Sequence, residues 1–201
     1  MFFKWMKQCD VRNILVSYAF FKTTESLEKL FNELEWYPKN LIIDSGAFSV
    51  WSRGLNIDID KYANFCLNVN DKLSKKTNIN IVNLDVLPGK FGQFPIGIER
   101  KESAEKGWQN MLYLESKGLK VIPVFHQHED YEWLNKMIKH TDYIGISPAN
   151  DVSMKNKLSF LNKSFSITKD KIKTHGFAVT GYEQLIRYPF YSVDSSSWAC
   201  G

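Results

Sequence analysis

The chain has 201 residues, of which 44% are hydrophobic, 14% aromatic and 24% charged. This length suits one domain with a packed core, and the composition excludes global disorder. Lys plus Arg number 26 against 22 Asp plus Glu, a mild net charge of +4, and no apolar window approaches the roughly 18 residues of a spanning helix. A membrane protein is therefore not expected.

Short runs of branched apolar residues alternate with segments of helical spacing along the chain. The apolar runs predict seven strands, which are Asn13 to Tyr18, Asn40 to Asp44, Ile79 to Val86, Lys120 to Phe125, Tyr143 to Ser147, His175 to Thr180 and Tyr191 to Asp194. The helical spacing predicts five helices, which are Thr24 to Trp36, Asp60 to Leu73, Ser103 to Ser116, Tyr131 to His140 and Asn156 to Phe165.

This alternation predicts an α/β fold built from βαβ units around a parallel sheet. Seven strands favour a (β/α) TIM-type barrel, with residues 1–201 as a single domain. A complete eightfold barrel takes about 250 residues. We therefore expect a minimal barrel, or one truncated after its seventh strand.

The amino-terminal segment and the cysteines indicate the compartment. Met1 to Asp10 breaks its apolar residues with two lysines and lacks a small-residue cleavage site, so it does not predict a secretory signal. The three cysteines, Cys9, Cys66 and Cys200, are far apart and odd in number, which suits free thiols in a reducing environment. A cytoplasmic location is expected, in a cell or a phage-infected host.

Polar side chains follow several predicted strands at their carboxyl ends, where parallel α/β folds collect their chemistry. Asp44, Asp85 and Asp194 each follow an apolar run. A single aspartate there can simply cap the next helix, but three together favour a shared site. His126 and His128 bracket Gln127, which leaves open a metal pair or histidines that contact substrate or solvent.

The densest basic stretch of the chain lies between positions 155 and 173. It is either a solvated helix face or a surface that tracks the phosphates of a nucleic acid. Lysine outnumbers arginine, and lysine suits phosphate contacts more than the reading of base edges. The six lysines are Lys155, Lys157, Lys163, Lys169, Lys171 and Lys173.

The segment after the second predicted strand, Asp44-Ser45-Gly46-Ala47-Phe48, opens a series of short motifs. It resembles the Asp-Ser-Gly-Gly-aromatic motif of the tRNA-guanine transglycosylases (queuine tRNA-ribosyltransferases), a (β/α) barrel family that exchanges guanine for a 7-deazaguanine. The match recurs in order at Asp85, at the glycine-bearing strand Tyr143 to Ser147, and at His175 to Gly181 before Asp194. The chain is similar to the short phage-type members that insert 7-deazaguanines into DNA.

The resemblance implies a role for each matched residue. Asp194 corresponds to the nucleophile that forms a covalent aspartyl-glycosyl intermediate, and Asp44 to the general acid and base. This pairing suits the chemistry, because displacement of a purine from C1′ passes through an oxocarbenium-like state that a carboxylate stabilises. The substrate-binding residues that the resemblance implies are Ser45, Phe48, Asp85, His126, Gly145 and Ser147.

The resemblance also implies the partners, which are DNA or tRNA and a free 7-deazaguanine base, and it leaves a homodimer open. No cofactor is expected, since the family's zinc-binding cysteine cluster is missing and only Cys200 follows Asp194. Two alternatives remain. One is a metal-dependent barrel hydrolase that uses His126, His128 and Asp194. The other is a catalytically inactive nucleic-acid-binding paralogue.

Overall fold

The computed structural model describes residues 2–93, 95–149, 152–169 and 171–194. The strands are β1 (Asn13–Ser17), β2 (Asn40–Asp44), β3 (Asn78–Val82), β4 (Val121–Ile122), β5 (Val124–His126), β6 (Tyr143–Ser147), β7 (Lys173–Gly176) and β8 (Ser192–Val193). The helices are α1 (Phe2–Gln8), α2 (Thr24–Glu33), α3 (Ala47–Trp51), α4 (Ile59–Leu73), α5 (Gly97–Ser116), α6 (Tyr131–His140), α7 (Met154–Thr168) and α8 (Tyr182–Arg187).

The strands form two parallel four-stranded sheets in which each strand pairs with its neighbours in chain order. One sheet has the order β1-β2-β3-β4 and the other the order β5-β6-β7-β8. Helices connect most of the paired strands, as parallel pairing requires. The predicted α/β class with parallel strands is confirmed.

Pro123 separates β4 from β5 and joins the two sheets. Proline has no backbone N–H, so the regular ladder is interrupted there. The carbonyl of Pro123 still accepts a hydrogen bond of 2.8 Å from the amide of Gly145, and the carbonyl of Ile122 accepts one of 2.9 Å from the amide of Asn83. Residues 121–126 therefore pair with β3 through their first half and with β6 through their second half.

One face of each sheet packs against helices. Alternation along β2 buries Leu41 and Ile43 fully and leaves Ile42 partly exposed on the other face. In the first sheet these residues join a core with α2, α4 and α5, whereas Ile144 and Ile146 of β6 join a second core with α6 and α7. Burial of these apolar faces holds each strand in register.

The opposite face of the strands lines a cleft of about 1320 Å³ that runs between β1 and β8. No backbone hydrogen bond connects β1 to β8 within the described residues. At the amino ends of β1, β2 and β3, three asparagine side chains form a hydrogen-bonded row. Asn40 donates to Asn13 at 2.6 Å, and Asn78 donates to Asn40 at 3.0 Å.

Two predicted strands were too long. β3 ends at Val82, four residues before the predicted end, and its partner β4 ends at Ile122, where Pro123 has no N–H to continue the ladder. β7 ends at Gly176, and Ala178 has a φ of 54°, which a strand does not tolerate. No helix within the described ranges is long and apolar enough to cross a membrane.

Candidate functional site

Asp44 is the last residue of β2, and the turn after it fixes its carboxylate. The amide of Gly46 donates to Asp44 Oδ2 at 2.9 Å. Gly46 has a φ of 76°, in the left-handed region, and a Cβ there would lie 2.6 Å from both Ala19 Cβ and Ser17 Oγ. Only glycine fits this turn without strain or displacement of its neighbours.

The electrostatic surroundings of Asp44 include the two other candidate aspartates. Burial raises the pKa of Asp44 to about 7, and the negative charges of Asp85 and Asp194 contribute to the increase. Hydrogen bonds from Gly46 and Ser17 oppose it. Asp85 and Asp194 therefore both lie within electrostatic reach of Asp44, and Asp44 has a pKa suited to proton transfer near neutral pH.

Asp85 lies in the loop after β3 and contacts His126 at the end of β5. The imidazole Nε2 is 2.6 Å from Asp85 Oδ2, and the two side chains are 14% and 15% exposed. Burial disfavours the imidazolium, but the contact with Asp85 and the charge of Glu129 outweigh it and raise the pKa of His126. The contact with Asp85 therefore favours the protonated form of His126 relative to an equally buried imidazole without a carboxylate partner.

Glu129 completes this cluster and was not predicted from the sequence. Its carboxylate accepts a hydrogen bond of 3.2 Å from the backbone amide of His126. Burial raises the pKa of Glu129 to about 7, against the opposing charge of His126. Glu129 follows β5 in a turn, so a strand-end search that stops at His126, Gln127 and His128 passes over it.

Asp194 follows β8 and lies beside a buried histidine that sequence analysis did not select as a site residue. His175 Nε2 is 3.3 Å from Asp194 Oδ1, and His175 is 1% exposed. Its other ring nitrogen, Nδ1, is 2.6 Å from Ser192 Oγ, which is in turn 2.6 Å from the hydroxyl of Tyr143. The amide of Ala178 also donates to Asp194 Oδ1, at 3.2 Å.

These contacts form one hydrogen-bonded chain that ends on Asp194. A carboxylate only accepts, so the chain runs toward Asp194 when Nε2 of His175 carries hydrogen. In that tautomer Nδ1 accepts from the hydroxyl of Ser192, which accepts from the hydroxyl of Tyr143. Among the described residues both donors contact Oδ1, which leaves Asp194 Oδ2 as the oxygen available to a substrate.

Several other predicted residues have structural contacts. Ser45 is fully buried, and its hydroxyl accepts from the amide of Ala47 at 3.3 Å, so it stabilises the turn after Asp44. Gly145 faces Phe177 so closely that an added Cβ would overlap the ring. Ser147 pairs with His126 at the ends of β6 and β5. Phe48 is 46% exposed on α3.

The six lysines between positions 155 and 173 are distributed along α7 and its connection to β7, and their contact with phosphates stays a prediction. α7 has 15 residues and so spans about 22 Å. Lys155 and Lys157 lie in its first turns, after β6, whereas Lys173 begins β7 at the opposite, amino end of the strands. Lys163 lies 4.0 Å from the Tyr131 ring centroid, Lys169 follows α7, and Lys171 precedes β7.

The histidine pair predicted for a metal is not aligned as expected. The prediction required a strand that continues through His128, but β5 ends at His126 and His128 lies in the following turn. Within the described ranges no group of three or more His, Cys, Asp or Glu side chains is arranged to hold a metal ion.

The segment in which the sequence resemblance would place a zinc site follows Asp194. Residues 195–201 contain one cysteine, Cys200, and no histidine, and they lie outside the described residues. The expectation that no cofactor is bound therefore stays a prediction.

Comparison with known proteins adds no family to these observations. A scan of the sequence against protein-family models finds no match, and a search of curated proteins finds none either. The site is therefore interpreted from its own geometry and from the motifs in the sequence.

Proposed function

We propose that this protein is a transglycosylase that exchanges guanine in nucleic acid for a 7-deazaguanine through a covalent intermediate on Asp194. One observation carries the proposal. A carboxylate with one oxygen held by His175 and Ala178 lies within electrostatic reach of Asp44, whose pKa is about 7. A nucleophile and a proton-transfer group in one site are what base exchange requires.

The order of the strands supports a (β/α) barrel as the scaffold. Strands that pair in chain order are typical of a barrel, whereas a doubly wound sheet reverses its order at a switch point. The cleft between β1 and β8 is lined by residues of both strands. With β4 and β5 counted as one, the described residues supply seven strand segments of the proposed barrel.

In the first half of the reaction, Asp194 Oδ2 attacks C1′ of the target nucleotide. The bond from C1′ to the guanine ring nitrogen breaks as the ester bond to Asp194 forms, and the departing base takes a proton from Asp44. In the second half, the incoming base gives its ring proton to Asp44. Its nitrogen then displaces Asp194 from C1′, which returns both carboxyl groups to their starting states.

Asp85 fits the reading of the base. The edge of guanine presents a ring N–H and an amino group side by side, and one carboxylate accepts from both. Without a base, the same carboxylate contacts His126 at 2.6 Å. The contact with His126 involves only Oδ2, so a base that donates to both carboxylate oxygens shares or replaces it.

Incorporation of labelled guanine tests the exchange directly. The full chain is incubated separately with tRNA, single-stranded DNA and duplex DNA, and radioactivity in the polymer is measured. We expect incorporation into at least one polymer. Absence of incorporation into all three, together with no exchange by any free 7-deazaguanine, would overturn the proposal.

Asp194→Asn tests the nucleophile. Without an incoming base, the wild-type protein should form a covalent adduct with its nucleic acid that survives denaturing electrophoresis. Asparagine lacks the anionic oxygen, so the variant should form no adduct. Asp142→Asn is the matched control, because Asp142 lines the same cleft but pairs with Lys120 at 3.1 Å, near the amino ends of the strands. An unchanged adduct in Asp194→Asn excludes that residue as the nucleophile.

A further inference from the structure

Three aromatic rings form an exposed surface beside the candidate site. Phe48 and Trp51 lie on α3, and Phe91 lies in the loop between β3 and α5. Their centroids are 5.9 Å apart for Phe48 and Trp51, 6.2 Å for Phe48 and Phe91, and 5.5 Å for Trp51 and Phe91. We call these three residues the ring surface.

The ring surface is exposed although its rings contact one another. Phe48 is 46% exposed and Phe91 59% exposed. The indole nitrogen of Trp51 donates to the carbonyl of Gly89 at 2.9 Å, which ties the Phe91 loop to α3. Single apolar residues on a surface are common, but a contiguous, anchored group of exposed rings indicates a binding surface.

The two segments that carry the rings add cations and no anions. Residues 46–57 and 86–96 contain Arg53 and Lys90 and no Asp or Glu. The carboxylate of Glu99, on α5, accepts from the amide of Ile96, and its neighbour Arg100 donates to the carbonyl of Pro95. Arg53 and Lys90 are both exposed. This contrasts with the three carboxylates that the site itself brings together, which repel a phosphate backbone.

The chain also connects the ring surface to the carboxylates. α3 begins three residues after Asp44, and Phe91 follows Asp85 by six residues along the next loop. Both segments therefore leave the carboxyl ends of neighbouring strands β2 and β3. A nucleic-acid strand with one base at Asp85 would therefore extend past the ring surface. The nucleotides on one side of that base would contact the three rings.

We propose that the ring surface binds single-stranded nucleic acid and stacks a base that flanks the exchanged guanine. The proposal rests on the proposed function and deepens it. Aromatic faces stack any base, and nearby cations contact the phosphates, which is how proteins hold single strands without reading their sequence. A target base must leave its stack before exchange, so an unpaired strand is the form that fits.

Binding of a fluorescent single-stranded DNA of mixed sequence to the full chain, followed by anisotropy at fixed salt, tests the proposal. Phe91→Ala removes one stacking face and should weaken binding about 5- to 150-fold. Phe91→Tyr keeps the face and should bind like wild type. Trp5→Ala is the matched control, since Trp5 is 60% exposed and lies on α1, outside both ring-bearing segments.

Arg53→Glu is a second variant. Arg53 is exposed and is not one of the packed rings, so this change should not affect folding. It should weaken binding and reduce the dependence of affinity on salt, because one phosphate contact is lost. Circular dichroism checks that each variant is folded. Wild-type affinity in both Phe91→Ala and Arg53→Glu overturns the proposal, as does a Phe91→Ala variant that only converts a dimer to a monomer.

The exchange assay separates this proposal from the proposed function. Exchange by the wild type, with unchanged DNA affinity in Phe91→Ala and Arg53→Glu, refutes the ring surface and keeps the transglycosylase. Ring-dependent binding without exchange supports the ring surface and refutes the transglycosylase. A wild-type protein that neither binds single-stranded DNA nor exchanges guanine refutes the ring surface and the transglycosylase.

Discussion

At the scale of single residues, the environment of Asp44 makes its protonation state depend on the fold. Its ordinary pKa is 3.8, and burial with two neighbouring aspartates raises the pKa to about 7. Between these values the folded protein binds more protons at this position than the unfolded chain does. Folding stability therefore falls as the pH rises through this window, in contrast to the usual aspartate.

Asp44→Asn should remove this loss of stability, because asparagine keeps an oxygen for the amide of Gly46 and carries no charge. A shift of one unit in the pKa of Asp44 changes the free energy of unfolding by about 1.4 kcal/mol. Asp44 is partly exposed, so solvent screens part of this effect. The stability of the variant relative to wild type should therefore grow by about 1–3 kcal/mol between about pH 4 and about pH 8. Urea unfolding at a series of pH values measures it.

Asp142→Asn is the control for this experiment. Its contact with Lys120 lowers the pKa of Asp142, so this variant should gain nothing over wild type as the pH rises. His126 and Glu129 also have raised pKa values, but both remain in wild type and in the two variants. A difference between Asp44→Asn and wild type that stays constant with pH would contradict the assignment.

The pairing of His175 with Asp194 shows which part of a site a sequence reveals. Strand-end position alone brought Asp44, Asp85 and Asp194 into one prediction, since each follows an apolar run. His175 is the first residue of the predicted sixth strand. Its partner Ser192 comes from β8, and the partner of Ser192, Tyr143, comes from β6, on the other side of β7. Contacts between neighbouring strands depend on register, which one sequence does not specify.

At the scale of elements, the turn between β2 and α3 joins backbone conformation to the site. Gly46 combines a left-handed φ with close contacts to Ser17 and Ala19 of the neighbouring segment. The same turn holds Asp44 through the amide of Gly46. Any change that moves this turn moves the carboxylate with it.

Gly46→Ala and Gly54→Ala separate the two contributions at this turn. Gly54 has a φ of 67°, but a Cβ there meets nothing within 4 Å. Gly54→Ala should therefore cost only the left-handed strain, about 1–2 kcal/mol. Gly46→Ala adds overlap with Ser17 and Ala19, which should cost about 1–3 kcal/mol more. Urea denaturation measures both, and equal losses would show that the close contacts at Gly46 relax freely.

Elements with clear burial alternation or helical periodicity were predictable with their bounds. β2, β6 and α6 begin and end where the sequence predicted. α1, α3 and α8 were not predicted, because helices of seven, five and six residues are too short to repeat an apolar stripe. The division of the predicted fourth strand at Pro123 was also missed. The carbonyls of Ile122 and Pro123 still accept hydrogen bonds from neighbouring strands, so the segment stays extended through the proline.

At the scale of the whole molecule, a cleft separates β1 from β8 within the residues that the structure describes. A closed barrel pairs its first strand with its last, so no strand has an unpaired edge. Here Tyr18 donates to Asp44 and Arg12 accepts from Asn40, so the even-numbered residues of β1 face β2. The odd-numbered residues direct their backbone groups to the cleft.

Amide hydrogen exchange, resolved by NMR, tests whether this edge is open in solution. Ile14 and Val16 should be protected, because their amides face β2, whereas Leu15 and Ser17 should exchange at least about tenfold faster because their amides face the cleft. All four residues belong to one strand, so local unfolding of β1 exposes them equally and does not create the difference. Equal protection would show that a backbone pairs with β1 across the cleft, and the scaffold would then be a closed barrel.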